Sequence, residues 1–160
     1  MAVPLGHPPS DYESDTMTYG LPDPQMRADF YDGVNAKRAI AWVIDTALIL
    51  GSAIVLIPFT AFTALFFFPM FLFVVGFIYR WSTLSGAGAT WGMRMMGVEL
   101  RDSDGQRLDN GTAFWHTVGY TVSIAVFPLQ LVSVLMMLIS ERNQGLTDHI
   151  LGTAAINRML

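Results

Sequence analysis

Arg38 and Asp45 are the two residues whose types and spacing invite chemistry first. Lys37 and Arg38 open an apolar run that continues to about Ile57, and Asp45 sits inside it. A carboxylate in an apolar segment of that length is costly and marks a functional-site candidate, either as part of an ion pathway or as one half of a buried charge pair. The two residues are two helical turns apart (38 to 45), so they share a face at an axial separation of about 10 Å. That is too far for a firm direct pair, so each needs another partner. Asp148 is the expected partner of Arg38, and Arg94, His116 or the Thr121 hydroxyl are the expected partners of Asp45. Asp148-His149 also tempts a catalytic or metal reading. The histidines are His7, His116 and His149, and none has metal-ligand spacing to another, so a structural turn is favoured and no metal is expected. There is no cysteine, which excludes disulfides and thiolate chemistry. No cofactor is implied and no catalytic residue is assigned, so the reading is of a protein that is not an enzyme.

The elements that must position these groups are membrane elements. In 160 residues, 52% are hydrophobic and only 14% charged, with a mean hydropathy of +0.44. Soluble domains carry about 25% charged residues. Ala39–Ile57 is long enough to cross a hydrocarbon core of about 30 Å, and Pro58 should end it. A second span is expected over roughly Phe62–Tyr79, kinked at Pro69, with Tyr79, Arg80 and Trp81 as an aromatic and basic belt at the interface. Basic residues flank the first span and follow the second, while the connection between them has none. The positive-inside rule therefore puts the N-terminus and the 80–112 loop in the cytoplasm, as expected for a multi-pass protein of a bacterial inner membrane. A third apolar stretch, 113–139, has Pro128 in its middle. It reads either as one long tilted helix or as a broken hairpin that returns the C-terminus to the cytoplasmic side.

Between the second and third stretches the chain is patterned rather than loose. Thr90 can cap a short interfacial helix over Trp91–Met96, which Gly97 ends. Val98 and Leu100 then alternate with Glu99 and Arg101 at a strand period, before a tight turn at Ser103-Asp104-Gly105. The run Gly86-Ala87-Gly88-Ala89 lacks phosphate-loop spacing and suits close helix packing instead. Near the C-terminus, Thr147 or Asp148 can cap a helical turn ending at Gly152, and Thr153–Ile156 can form a second strand. Residues 1–35 form an acidic tail rich in Pro and Ser, without a signal-peptide pattern, and the composition reads as flexible. Tyr12, Tyr19, Phe30 and Tyr31 are its candidate docking anchors. An acidic tail and scattered bases argue against nucleic acid as a partner.

Taken together, three blocks resemble the RDD family of small bacterial membrane proteins, named for one arginine and two aspartates. Arg38 and Asp45 stand where the family has an arginine opening the first transmembrane helix and an aspartate within it. Gly88-Ala89-Thr90-Trp91-Gly92-Met93-Arg94-Met95-Met96-Gly97, followed by Val98–Asp102 and Asp104-Gly105, looks like the family's Gly-x-Thr-x-Gly-Lys segment, strand and turn. Thr147-Asp148-His149-Ile150-Leu151-Gly152-Thr153 looks like its late His-Asp-x-x-x-Gly-Thr segment. Met93 replaces the usual lysine, with Arg94 next to it, and Thr147 replaces the usual histidine. The resemblance covers about 36–158 and implies a transmembrane domain there. If Val98–Arg101 and Thr153–Ile156 are both short strands on one face, they can pair only if both are cytoplasmic, which favours the broken hairpin.

The expected fold is thus an all-α integral membrane protein with two full transmembrane helices, a third hydrophobic region, a small interfacial helix and short β pairing. The expected site is an intramembrane polar network of Arg38, Asp45, Arg94, His116 and Asp148. Gly88, Thr90, Gly92, Gly97, Gly152 and Thr153 serve packing and turns. The expected role is that of an accessory, assembly or structural component of a membrane complex, in contact with lipid and with other subunits or further copies of itself. The alternative is a small cation/proton antiporter acting as an oligomer through Asp45, a chemistry the resemblance also carries.

Overall fold

The computed structural model describes residues 20–158. Tyr12, Tyr19 and His7 lie outside the described residues. The chain runs α1 (Val34–Leu56), α2 (Phe68–Ala87), α3 (Trp91–Met95), β1 (Val98–Arg101), α4 (Asn110–Ala125), α5 (Phe127–Ile139), α6 (Leu146–Leu151) and β2 (Ala154–Asn157). Among the described residues two helical stretches, 28–56 and 63–87, are long and apolar enough to cross a membrane.

The first span ends where composition places it, at Leu56 and Ile57 ahead of Pro58, but its start and both ends of the second differ. α1 starts at Val34, ahead of Lys37 and Arg38, so both cations sit in its first turns instead of flanking it. α2 is displaced the other way. Residues 63–67 form a 3-10 turn, entered through Ala61 and Phe62 at positive φ (49° and 64°), and the α-helix begins only at Phe68. Pro69 therefore occupies the first turn, where its missing N–H has no helical partner to lose, and it starts the helix rather than kinking it. At the other end α2 does not stop at Tyr79. Ser82, Thr83 and Ser85 return their hydroxyls to carbonyls of their own helix, at Tyr79 (3.0 and 2.7 Å) and Trp81 (2.7 Å). The polar turn thereby stays helical until Gly88, which closes it at φ 65°. Tyr79 and Arg80 consequently lie inside the helix and not at its end.

The third apolar stretch is not one straight helix. α4 and α5 meet at Val126 with a bend of 116°. Pro128 falls in the first turn of α5, where φ restriction and the absent N–H are tolerated, and the break lies just ahead of it.

β1 and β2 pair antiparallel, Val98 opposite Asn157 and Arg101 opposite Ala154, so the strand after α6 covers 154–157 rather than 153–156. This two-stranded sheet anchors the larger of two buried clusters among the described residues. Val34, Ala41, Leu84, Ala89, Met93, Val98, Leu100 and Ala155 bury one another where α1, α2, α3 and the sheet converge. Glu99 is buried in β1 and held by Arg101 of the same strand. Part of the acidic segment before α1 packs here too. Tyr31 is buried against Ala154 and Ile156, its hydroxyl donating to the Pro22 carbonyl (2.8 Å), with Phe30 and Leu21 beside it. Away from this sheet end the helices expose large apolar side chains, including Val43, Ile54 and Val55 of α1, Met70, Val74 and Ile78 of α2, and Leu135 and Leu138 of α5. Faces of that composition are stable in a hydrocarbon environment and unfavourable in water.

Candidate functional site, two carboxylate nodes

The first node forms where α3 meets α1. Asp45 is 1% exposed and faces α3 from the side of α1. Its Oδ1 accepts from the Tyr79 hydroxyl (2.7 Å) and from the backbone N–H of Gly92 (2.8 Å). Its Oδ2 accepts from the Thr90 hydroxyl (2.6 Å), and the Arg80 guanidinium lies 3.9 Å away. Thr90 does two jobs at once. It caps α3, accepting from the Met93 N–H at 3.2 Å, and it turns its own hydrogen to Asp45. Tyr79 likewise accepts from the Trp91 N–H (3.2 Å) while donating to the carboxylate. The N-terminal turn of α3 is in this way locked onto a carboxylate, the charge sign that free N–H groups favour.

The approach is close enough to demand glycine at position 92. A Cβ there would sit 2.3 Å from the Ala41 carbonyl oxygen and 2.8 Å from Asp45 Oδ1. Gly92 is therefore a donor as well as a packing residue.

The second node joins α1, α4 and the α6 turn. Asp148, also 1% exposed, receives Arg38 Nη1 at 2.7 Å on Oδ2. It reaches back to the Gly145 N–H (3.1 Å), satisfying one of the free amides at the start of α6. Oδ1 accepts from the Thr153 hydroxyl (3.2 Å) and stands 2.8 Å from His116 Nε2. A carboxylate only accepts, so Nε2 carries the hydrogen and Nδ1, buried without a partner among the described residues, is left bare. Asn143 supports the node: its carbonyl accepts from Arg38 (3.4 Å), and its side-chain oxygen accepts from Asn35 (2.9 Å), which also donates to the Met137 carbonyl (2.9 Å). These bonds tie the start of α1 to the end of α5.

Asp148 lies outside the spanning helices. Burial alone would push its carboxyl up, but the Arg38 guanidinium and the His116 contact outweigh burial and hold it well below the usual carboxylate range. The folded-state pKa is thus depressed relative to the unfolded value of about 3.9. The stability this adds is fully present above the unfolded value and is lost progressively as pH falls from there through the lower folded-state pKa. Thermal unfolding of the detergent-solubilised protein should show the difference between wild type and Asp148→Asn shrinking steadily below about pH 4. A difference that stays constant down to pH 2 would contradict this.

Of the expected contacts, Arg38 with Asp148 is present. Those of Asp45 are not. Arg94 donates to the Ala89 carbonyl (3.3 Å) and lies 4.9 Å over the Trp91 ring. His116 belongs to Asp148, and Thr121 donates to Thr117 of its own helix (2.8 Å). Tyr79 and Arg80 take the places expected for them at Asp45. Helix length is the reason: with α2 running to Ala87, the pair lies alongside α1. The signal was in the sequence, since nothing between Tyr79 and Gly86 breaks a helix. Gly88 approaches the Leu100 carbonyl, Gly97 turns the chain into β1 at φ 68°, and Gly152 ends α6 at φ 66°, as turn residues should.

The RDD family model matches residues 35–152, from the first turn of α1 to the end of α6, and so includes Arg38, Asp45 and Asp148. The chain belongs to the RDD family. Neither the curated proteins nor the solved structures contain a match to it. In this RDD protein the arginine and two aspartates do not form one cluster. Arg38 pairs with Asp148, whereas Asp45 is served by α2 and α3, and no hydrogen bond joins the two nodes among the described residues.

Proposed function

We propose that this RDD protein is a non-enzymatic, multi-pass component of the bacterial cytoplasmic membrane that assists or organises a larger membrane complex. One observation carries the reading: the buried aspartates, Asp45 and Asp148, are consumed by donors of their own chain. Asp45 accepts three hydrogen bonds with Arg80 beside it, and Asp148 is engaged by Arg38, His116, Gly145 and Thr153. An ion carrier needs acceptor lone pairs to offer its cargo; here they hold helices together. The outward faces of α1, α2 and α5 remain apolar and available to other helices.

In this reading the sheet end is cytoplasmic. Lys37, Arg38, Arg94, Arg101 and Arg107 cluster there, and the 57–67 connection has no base. α4 and α5 have 16 and 13 residues, about 24 and 20 Å, each short of a bilayer core of about 30 Å. The pair then enters the membrane and returns, leaving two complete crossings. Isolation from native membranes in a mild detergent should recover the protein together with other membrane subunits in fixed proportion. Consistent isolation alone would argue against the reading.

The cation/proton antiporter is the second reading, favoured by one feature: Asp45 and Arg80 border a cavity of about 880 Å³. The two readings separate in proteoliposomes. An accessory protein shows no proton-coupled cation exchange that depends on Asp45, whereas exchange abolished by Asp45→Asn would establish transport.

A further inference from the structure

Among the described residues, Arg80 is a cation of the spanning region whose hydrogen-bonding needs the fold leaves open. A guanidinium carries five N–H donors. That of Arg80 has its Cζ over the Tyr120 ring, 3.7 Å from the centroid, and comes no nearer than 3.9 Å to Asp45. Among the described residues it makes no hydrogen bond, although its side chain is only 12% exposed. Asp45 does not compensate it fully, because both carboxylate oxygens already accept short bonds from Tyr79, Thr90 and Gly92. A cation so placed at membrane depth calls for an anionic acceptor.

The space around Arg80 has a definite form. It borders the 880 Å³ cavity on one side, together with Arg38, Asp45, His116 and Asp148, and a second cavity of about 410 Å³ on the other. Arg80, Tyr120 and Ile124 line both, so the two are neighbours across these side chains. The larger follows α1 from Asn35 to Asp45, towards the sheet end. The smaller continues from Thr46 to Leu50, away from it, and its other walls are Leu72, Phe73, Gly76 and Phe77. Both volumes fall in the range of small-molecule sites. Arg80 precedes Ala87 by seven residues (80 to 87), so it stands about 10 Å below the sheet end of α2. The larger chamber sets a few charged groups, Arg38 and Arg80 with Asp45 and Asp148, in mostly apolar walls, and the smaller is apolar apart from Arg80 and the Thr46, Tyr120 and Thr121 hydroxyls; a charged spot within apolar walls matches an amphiphile.

We propose that these cavities bind a membrane amphiphile with an anionic head, a carboxylate or phosphate, on a hydrocarbon chain. The head accepts from Arg80 on the side of the larger cavity, and the chain lies in the smaller cavity between α1 and α2. The charge of Arg80 selects the head, and the Leu72, Phe73 and Gly76 wall selects the chain.

The test is equilibrium binding of radiolabelled hexadecyl phosphate to the full chain in phosphatidylcholine nanodiscs, against empty nanodiscs. One saturable site is expected, resistant to inorganic phosphate and displaced at least tenfold more weakly by zwitterionic hexadecylphosphocholine. Arg80→Gln should weaken binding at least tenfold. Gly76→Leu should do the same by filling the smaller cavity; its Cβ would meet nothing closer than 3.6 Å, on the Ile49 side chain. If Arg80→Gln does not fold, the head-group series on wild type and Gly76→Leu decide. No saturable binding above empty nanodiscs, equal displacement by the zwitterionic compound, displacement by inorganic phosphate alone, or wild-type affinity in either variant would overturn the proposal.

Discussion

Arg38→Ala should lower the stability of this protein by about 3–5 kcal/mol, the loss typical of breaking a buried ion pair from one side. The variant leaves Asp148, 1% exposed, without its guanidinium, and the remaining partners cannot replace that charge. Gly145 and Thr153 offer neutral donors, and His116 is already in contact. The loss propagates, since Arg38 also reaches the Asn143 carbonyl beside the Asn35 bonds that close α1 against α5. Adding Asp148→Asn to Arg38→Ala should recover a good part of the stability, because a neutral amide in that place needs no cation. Unfolding monitored in detergent, with the double variant in parallel, measures both effects. A loss below about 1 kcal/mol in the single variant, or a double variant worse than the sum of the singles, would show that the pair does not hold α1 to the α6 turn.

Gly92→Ala should be comparably damaging although it adds a single methyl group. Overpacking a well-packed site costs about 1–3 kcal/mol and sometimes more. Here the obstacle is a backbone carbonyl: the added carbon would lie 2.3 Å from Ala41 O, and neither main chain can rotate away as a side chain would. α3 must retreat from α1, and the retreat stretches the Gly92 N–H bond to Asp45 and the Thr90 hydroxyl bond with it. Gly51→Ala and Gly86→Ala are the controls. Nothing lies within 4 Å of a Cβ at either position, and replacing a helical glycine by alanine gains about 0.5–1 kcal/mol. Thermal unfolding midpoints should therefore fall in Gly92→Ala and hold or rise in the controls. An unchanged midpoint in Gly92→Ala would mean that α3 is not clamped to α1.

Both predictions concern contacts that join residues far apart in the chain, and this is where sequence and structure divide. The sequence by itself determined the local features. The apolar lengths marked membrane spans, Thr90 and Gly97 marked the limits of α3, and the alternation over 98–101 marked β1. The glycines at 97 and 152 marked turns. Each depends on groups within about four residues of one another, where propensity, capping and side-chain period act directly. One distant contact, Arg38 with Asp148, was also legible. Both ends are charged and placed near the same rim, and a buried carboxylate has few candidate cations.

The partners of Asp45 were decided only by the tertiary structure. Tyr79 and Thr90 lie 34 and 45 residues from it, and Gly92 contributes a main-chain amide that no side-chain pattern advertises. Arg94 looked the better candidate by charge. Yet it belongs to a short helix whose N-terminal turn, not its arginine, faces α1. Where α2 ends settled the rest. Composition ended it at the aromatic belt, whereas hydroxyls bonded back to their own helix let it run to Gly88. That extension carried Tyr79 from an interface to Asp45 and Arg80 into the wall of a cavity. Helix ends and the pairing of faces are set by packing among segments, so the spans could be read from the sequence while the way they interlock around Asp45 required the folded chain.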